Sequence, residues 1–183
     1  MNRRSTRGGF CLSILSVLLL GTCPAVLWAA DPCGGFTWDV AREQALFAGK
    51  AHKSTVGATG NTAPLLETGR LYELALMPQE QVHFPVTPAK KALSDGAYGG
   101  IIRFRVANPG PYRFSLDLPF WIDVVADGQL VPSKDFQGRP GCSAPHKIVE
   151  FVLPAGKDLF LQFSNGVNQT VRVTITPSAP GKS

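Results

Sequence analysis

From residue 70 onward apolar and polar residues alternate with a period of two, which predicts strands buried on one face. Tyr72, Leu74 and Leu76 alternate with Glu73, and Val82 and Phe84 flank His83. Ile102, Phe104 and Val106 alternate with Arg103 and Arg105, and Tyr112, Phe114 and Leu116 with Arg113 and Ser115. The same rhythm returns at Val149, Phe151 and Leu153, at Leu159, Leu161 and Phe163, and at Val171, Val173 and Ile175. Residues 120–126 are apolar on both faces except for Asp123, which predicts a central strand with Trp121 in the core, the alternative being Trp121 as a ligand platform. Turn residues separate the runs: Asn108-Pro109-Gly110-Pro111, Asp127-Gly128, Pro154-Ala155-Gly156 and Asn165-Gly166. Roughly eight short strands with turns between them predict an all-β fold. Two sheets are required, because one open sheet this apolar could not cover both its faces.

Upstream the pattern changes. Residues 36–47 predict one short N-terminal helix, with Asp39 as its cap and Val40, Ala41, Ala45, Leu46 and Phe47 on its apolar side. Residues 48–69, rich in Gly, Ala, Thr and Ser, predict a loose spacer. At the N-terminus Arg3, Arg4 and Arg7 precede an uncharged stretch from Gly8 to Ala30, strongest from Phe10 to Leu20. That is the build of an export signal, with cleavage expected after Ala29 or Ala30. An uncleaved anchor and a lipid on Cys23 are the alternatives. Pro24 and the Gly21-Thr22 dip weigh against the anchor, and Thr22 is a poor residue before a lipidated cysteine. The expected organisation is a cleaved signal peptide at 1–30, an arm and spacer at 31–69, a β-sandwich domain at 70–176 and a frayed tail at 177–183. The mature protein is expected to be periplasmic or extracellular, with no stable membrane span once the signal is removed.

Charge adds little after export. The full chain carries 18 Lys+Arg and 13 Asp+Glu, a net +5. Removing the three leader arginines leaves 15 against 13, or +2. No basic cluster with interleaved aromatics remains, which speaks against nucleic-acid binding. A hydrophobic fraction of 44% supplies a core and speaks against a disordered chain. Cys11 and Cys23 leave with the leader, so Cys33 and Cys142 are expected to form one structural disulfide.

Candidate chemistry is sparse. There is no Gly-x-Ser-x-Gly elbow and no phosphate-binding glycine loop, so no catalytic residue is assigned and no cofactor is expected. The alternative is a mononuclear iron site built from His83, His146 and Glu150. Its weakness is geometric: four residues along a strand span about 13 Å, too far for two ligands of one ion. The most individual stretch is 135–147, where Asp135, Arg139, His146 and Lys147 accompany Phe136 and two prolines beside Cys142. A polar loop held rigidly on a sandwich is a place for a ligand or partner to bind. The plainer account is an Asp135–Arg139 pair in a loop stiffened by proline.

Two stretches carry a resemblance. One is Gly110-Pro-Tyr-Arg-Phe-Ser-Leu-Asp117 followed by 120–131 with its Asp127-Gly128 turn. The other is Val149-Glu-Phe-Val-Leu-Pro-Ala-Gly156 followed by 159–163 and 171–175. Over about residues 98–176 the chain resembles the bacterial pre-peptidase C-terminal domain, a small β-sandwich attached to secreted enzymes. The resemblance implies a jelly-roll-like sandwich in a non-catalytic role, in some relatives with carbohydrate or calcium contacts. The chain departs from that pattern at Phe120-Trp121-Ile122-Asp123, which offers one carboxylate and not an acidic cluster. Residues 135–150 also resemble short exported bacterial proteins, some carrying a homogentisate-dioxygenase-like name, which would imply a small iron-dependent enzyme. The leading expectation is an exported, non-enzymatic binding or accessory protein of the cell envelope, whose partner is an envelope protein or a polysaccharide.

Overall fold

The fold is that of a computed structural model, which describes residues 33–90 and 94–178. The expected signal peptide, with its cleavage, anchor and lipid alternatives, lies outside the described residues, as do residues 179–183 of the expected tail. No helix among the described residues is long and apolar enough to cross a membrane.

The chain is all-β with one short helix. Helix α1 spans Ala41–Phe47. The strands are β1 (His52–Thr55), β2 (Leu65–Leu66), β3 (Leu71–Ala75), β4 (Met77–Pro78), β5 (Tyr98–Phe104) and β6 (Gly110–Leu116). They continue with β7 (Trp121–Ala126), β8 (Gln129–Val131), β9 (Ser133–Gly138), β10 (Lys147–Leu153), β11 (Leu159–Gly166) and β12 (Thr170–Pro177). One sheet has the order β1-β3-β12-β6-β10-β9, and the other β2-β5-β11-β7-β8, with β4 beside β5. Both are mixed: β1 runs parallel to β3, and β2 parallel to β5.

The period-two apolar residues fill the space between the sheets. Phe104 of one sheet meets Phe114 of the other edge-on at 5.5 Å, and Phe114 meets Phe151 at 5.3 Å. Leu74, Leu116, Ile102, Leu161 and Phe163 complete a single buried cluster around them. Each such side chain contributes about 1.5–3 kcal/mol on burial.

Both outer faces are covered as well. On the first sheet Arg113 stands in one cross-strand row with Glu150 and Thr176. The N-terminal arm lies over this row. The Arg113 guanidinium sits 4.7 Å from the centre of the Trp38 ring and donates to the Asp39 carbonyl at 2.7 Å. The Thr176 hydroxyl bonds Glu43 of α1, itself only 2% exposed, at 2.7 Å. Glu150 is ion-paired with Lys134 at 2.8 Å and with Arg113 at 3.5 Å. The Cys33–Cys142 bridge fastens the arm to the stretch before β10, closing a separation of 109 residues. On the second sheet Val82 and Ala63 pack on Ile101. The Gln162 amide grips the backbone of Val86 through both its oxygen (3.1 Å) and its nitrogen (3.0 Å).

The local expectations fare unevenly. The helix starts at Ala41, with Val40 as the cap residue. Asp39 stands one residue before the cap and accepts from the Ala41 N–H, the first of the helix, at 3.1 Å. Residues 48–69 are not a loose spacer: β1 and β2 join both sheets, and Val56, Ala63 and Leu66 are buried. Residues 82–84 form no strand: the Val82 N–H closes a turn on the Gln79 carbonyl at 3.0 Å, and the His83 N–H bonds the Ala58 carbonyl at 2.7 Å. Asp127-Gly128 makes the expected two-residue hairpin turn, both residues having positive φ (51° and 73°). Asn165-Gly166 does not: β11 runs on to Gly166 through a bulge, with Gly166 paired to Tyr98. Pro177 belongs to β12 and the Ser178 N–H bonds the Pro111 carbonyl at 2.9 Å, so the tail is anchored up to that point.

Candidate functional site

Strand β8 leaves the second sheet after Val131, and the chain crosses at Pro132 to the first sheet as β9. Because β8 pairs only with Val124–Ala126, residues Trp121, Ile122 and Asp123 of β7 have a neighbouring strand on one side alone, β11. The gap that results is a cleft of about 490 Å³ between the sheet edges. Its lining is mostly apolar: Ile122 on one wall, Val149 and Phe151 on the other, Leu130 and Val131 at the crossing strand, and Phe136 at the rim. Phe136 is 67% exposed, an unusual setting for a large aromatic residue.

The polar residues of the cleft form a connected group. Trp121 and Asp123 are two apart on β7 and share a face. The indole N–H is shared between the two carboxylate oxygens of Asp123, at 3.1 and 3.0 Å. The Ala89 N–H also donates to Asp123, at 3.1 Å. From the facing strand Lys147 reaches across and donates to the Phe120 carbonyl at 3.1 Å. Its ammonium sits 5.6 Å from the centre of the Trp121 ring, and that of Lys90 sits at 5.5 Å. Burial raises the Asp123 carboxyl above its ordinary range, against the Ala89 and Trp121 hydrogen bonds and the Lys147 charge. Burial likewise lowers Lys147; Asp123 opposes that shift and the charge of Lys90 adds to it.

The stretch singled out in the sequence is not one loop. Residues 133–138 form β9, and Lys147 opens β10. Asp135 accepts the N–H of its own neighbour Phe136 at 2.8 Å. Arg139 turns to the N-terminal arm, 5.3 Å from the centre of the Phe36 ring, and does not pair with Asp135. His146 is half-buried and bridges Leu116 and Arg139 through its backbone, at 2.8 Å each. Only Lys147 of the four, with Phe136 beside them, faces the cleft.

The alternative iron set is not assembled. His83 is exposed on the segment covering the second sheet, where its N–H bonds the Ala58 carbonyl at 2.7 Å. Glu150 faces outward from the first sheet and is taken up by Lys134, Arg113 and the Ser178 hydroxyl. No three metal-ligating side chains converge among the described residues.

The expectation that Trp121 lies in the core is also overturned: it is half-buried and forms part of the cleft. Trp121 and Asp123 are therefore the residues not assigned to a site from the sequence; the structure joins them to Lys147, which was. The shared parity of Trp121 and Asp123 was visible; the early departure of β8, which exposes them, was not. An indole face, an ammonium, a carboxylate and an apolar wall together suit non-covalent recognition. The chain matches no protein-family model and no curated protein.

Proposed function

We propose that this chain is an exported β-sandwich binding module of the bacterial cell envelope, non-enzymatic, which takes its ligand in the cleft beside Trp121. The observation that carries the reading is that cleft: a mostly apolar opening of about 490 Å³ with one polar cluster and an exposed Phe136 at its rim. Small-ligand sites have this size and this balance of apolar wall to few polar groups. The export-signal pattern and the Cys33–Cys142 bridge support a location outside the cytoplasm. The strand orders β3-β12-β6-β10 and β5-β11-β7-β8 support reading the sandwich as a jelly roll, in line with the pre-peptidase C-terminal resemblance.

The test is retention of the mature, oxidised protein on separated envelope fractions: sacculi, outer membrane and periplasmic extract. Phe136→Ser should keep the thermal transition of the parent and lose retention, because Phe136 is at the rim and outside the core. Equal retention of parent and variant would remove the cleft from the function.

A further inference from the structure

We propose that the cleft binds a small amphiphilic monocarboxylate, its carboxylate at Lys147 and its apolar body along β10 toward Phe151. This rests on the reading of the cleft as the binding site and names the ligand class. Among the described residues, two ammonium groups, Lys90 and Lys147, approach one indole, and a single carboxylate, Asp123, accompanies them. The group therefore carries one unbalanced positive charge. Asp123 is already engaged, one oxygen by the Ala89 N–H and both by the Trp121 N–H. An ammonium has three donors, and the Phe120 carbonyl takes one from Lys147. A monoanion at this point is the charge that completes the group, and a charge-assisted bond in an apolar cleft is a strong one.

The remaining walls define the rest of the ligand. Lys147, Val149 and Phe151 lie on one face of β10, so the apolar track from Lys147 to Phe151 is about 13 Å long. Ile122 of β7 faces it, and Phe136 closes the rim. A sugar would find few hydrogen-bonding groups along that track. An extended acyl or aryl body would bury apolar surface along its length.

The experiment is a titration of the mature, disulfide-bonded protein with sodium octanoate, sodium hexanoate and octylamine, followed by the indole N–H resonances in a ¹⁵N correlation spectrum. Octanoate should move the Trp121 indole signal and leave that of Trp38, on the opposite outer face, in place. Hexanoate should bind more weakly by roughly fourfold per missing methylene. Octylamine should bind at least about tenfold more weakly than octanoate. Lys147→Met should weaken octanoate on the order of tenfold to a hundredfold, and Lys147→Arg should recover most of that loss. Should Lys147→Met fail to fold, Lys90→Met carries the same test, with a smaller loss expected. Equal affinity for octylamine and octanoate, or octanoate binding that ignores both lysine variants, overturns the carboxylate and leaves the cleft reading intact. No movement of the Trp121 signal with any of the three probes overturns the inference altogether. The cleft reading is then judged by the envelope retention of Phe136→Ser.

Discussion

Two positions illustrate how one atom decides local structure. A Cβ on Gly166 would lie 1.7 Å from the Phe120 ring, so no other residue fits there without moving that ring. Gly166→Ala is expected to destabilise the protein by about 1–3 kcal/mol, the usual cost of overpacking. A urea melt would read this as a lower midpoint, and Phe120→Leu in the same chain should recover part of it. The sequence made Asn165-Gly166 look like a turn because that pair is a frequent turn dipeptide. The glycine is needed here for close packing, a reason no local signal carries. Trp121 misled for a similar cause. Its flanks are apolar, and β7 is indeed an inner strand, but its first three residues lack a neighbour on one side.

At the scale of elements, the legible strands were those with an apolar inner face and a largely polar outer one, even where both are buried. Strands β3, β5, β6, β10, β11 and β12 each place alternate residues in the core, and period-two reading found them. Strands β1 and β9 escaped it because they are sheet edges with polar residues on nearly every position. What holds them is backbone pairing, which leaves no hydrophobic signature. The N-terminal arm is an element of another kind, held by Trp38, Asp39 and Glu43 against one sheet and by the disulfide at its start. Replacing both Cys33 and Cys142 by alanine is expected to cost about 2–5 kcal/mol. Amide exchange should then rise first over residues 36–47, while β6 and β11 keep their protection. Uniform loss of protection across the molecule would show that the arm is not a separate unit.

For the molecule as a whole, two buried carboxylates pull stability in opposite directions with pH. The Glu150 carboxyl is held below its ordinary value of 4.5. Burial alone would raise it, but the Lys134 and Ser178 hydrogen bonds and the Lys134 and Arg113 charges outweigh that effect. In the acid range the unfolded chain then binds the proton more readily than the folded one. The Glu150 contribution is complete above about pH 4.5 and is lost as pH falls through the folded value. Asp123, whose value is raised, has the reverse sign: its contribution is complete in acid and declines as pH rises through the folded value. Glu150→Gln should therefore lower stability at neutral pH by about 1–3 kcal/mol and flatten the acid limb of the stability curve. Thermal melts from pH 3 to pH 7 check this; an acid limb as steep as the parent's would place the responsible group elsewhere.

Strand β12 lies between β3 and β6, in the interior of its sheet, although it is the last strand in chain order. Every other strand of this sheet must therefore be made before the layer can be completed. Until then β3 and β6 have no common neighbour, and α1 has no floor to rest on. Native closure is thus a late event in the life of each molecule. That delay would suit the proposed export, in which a chain is threaded while still open.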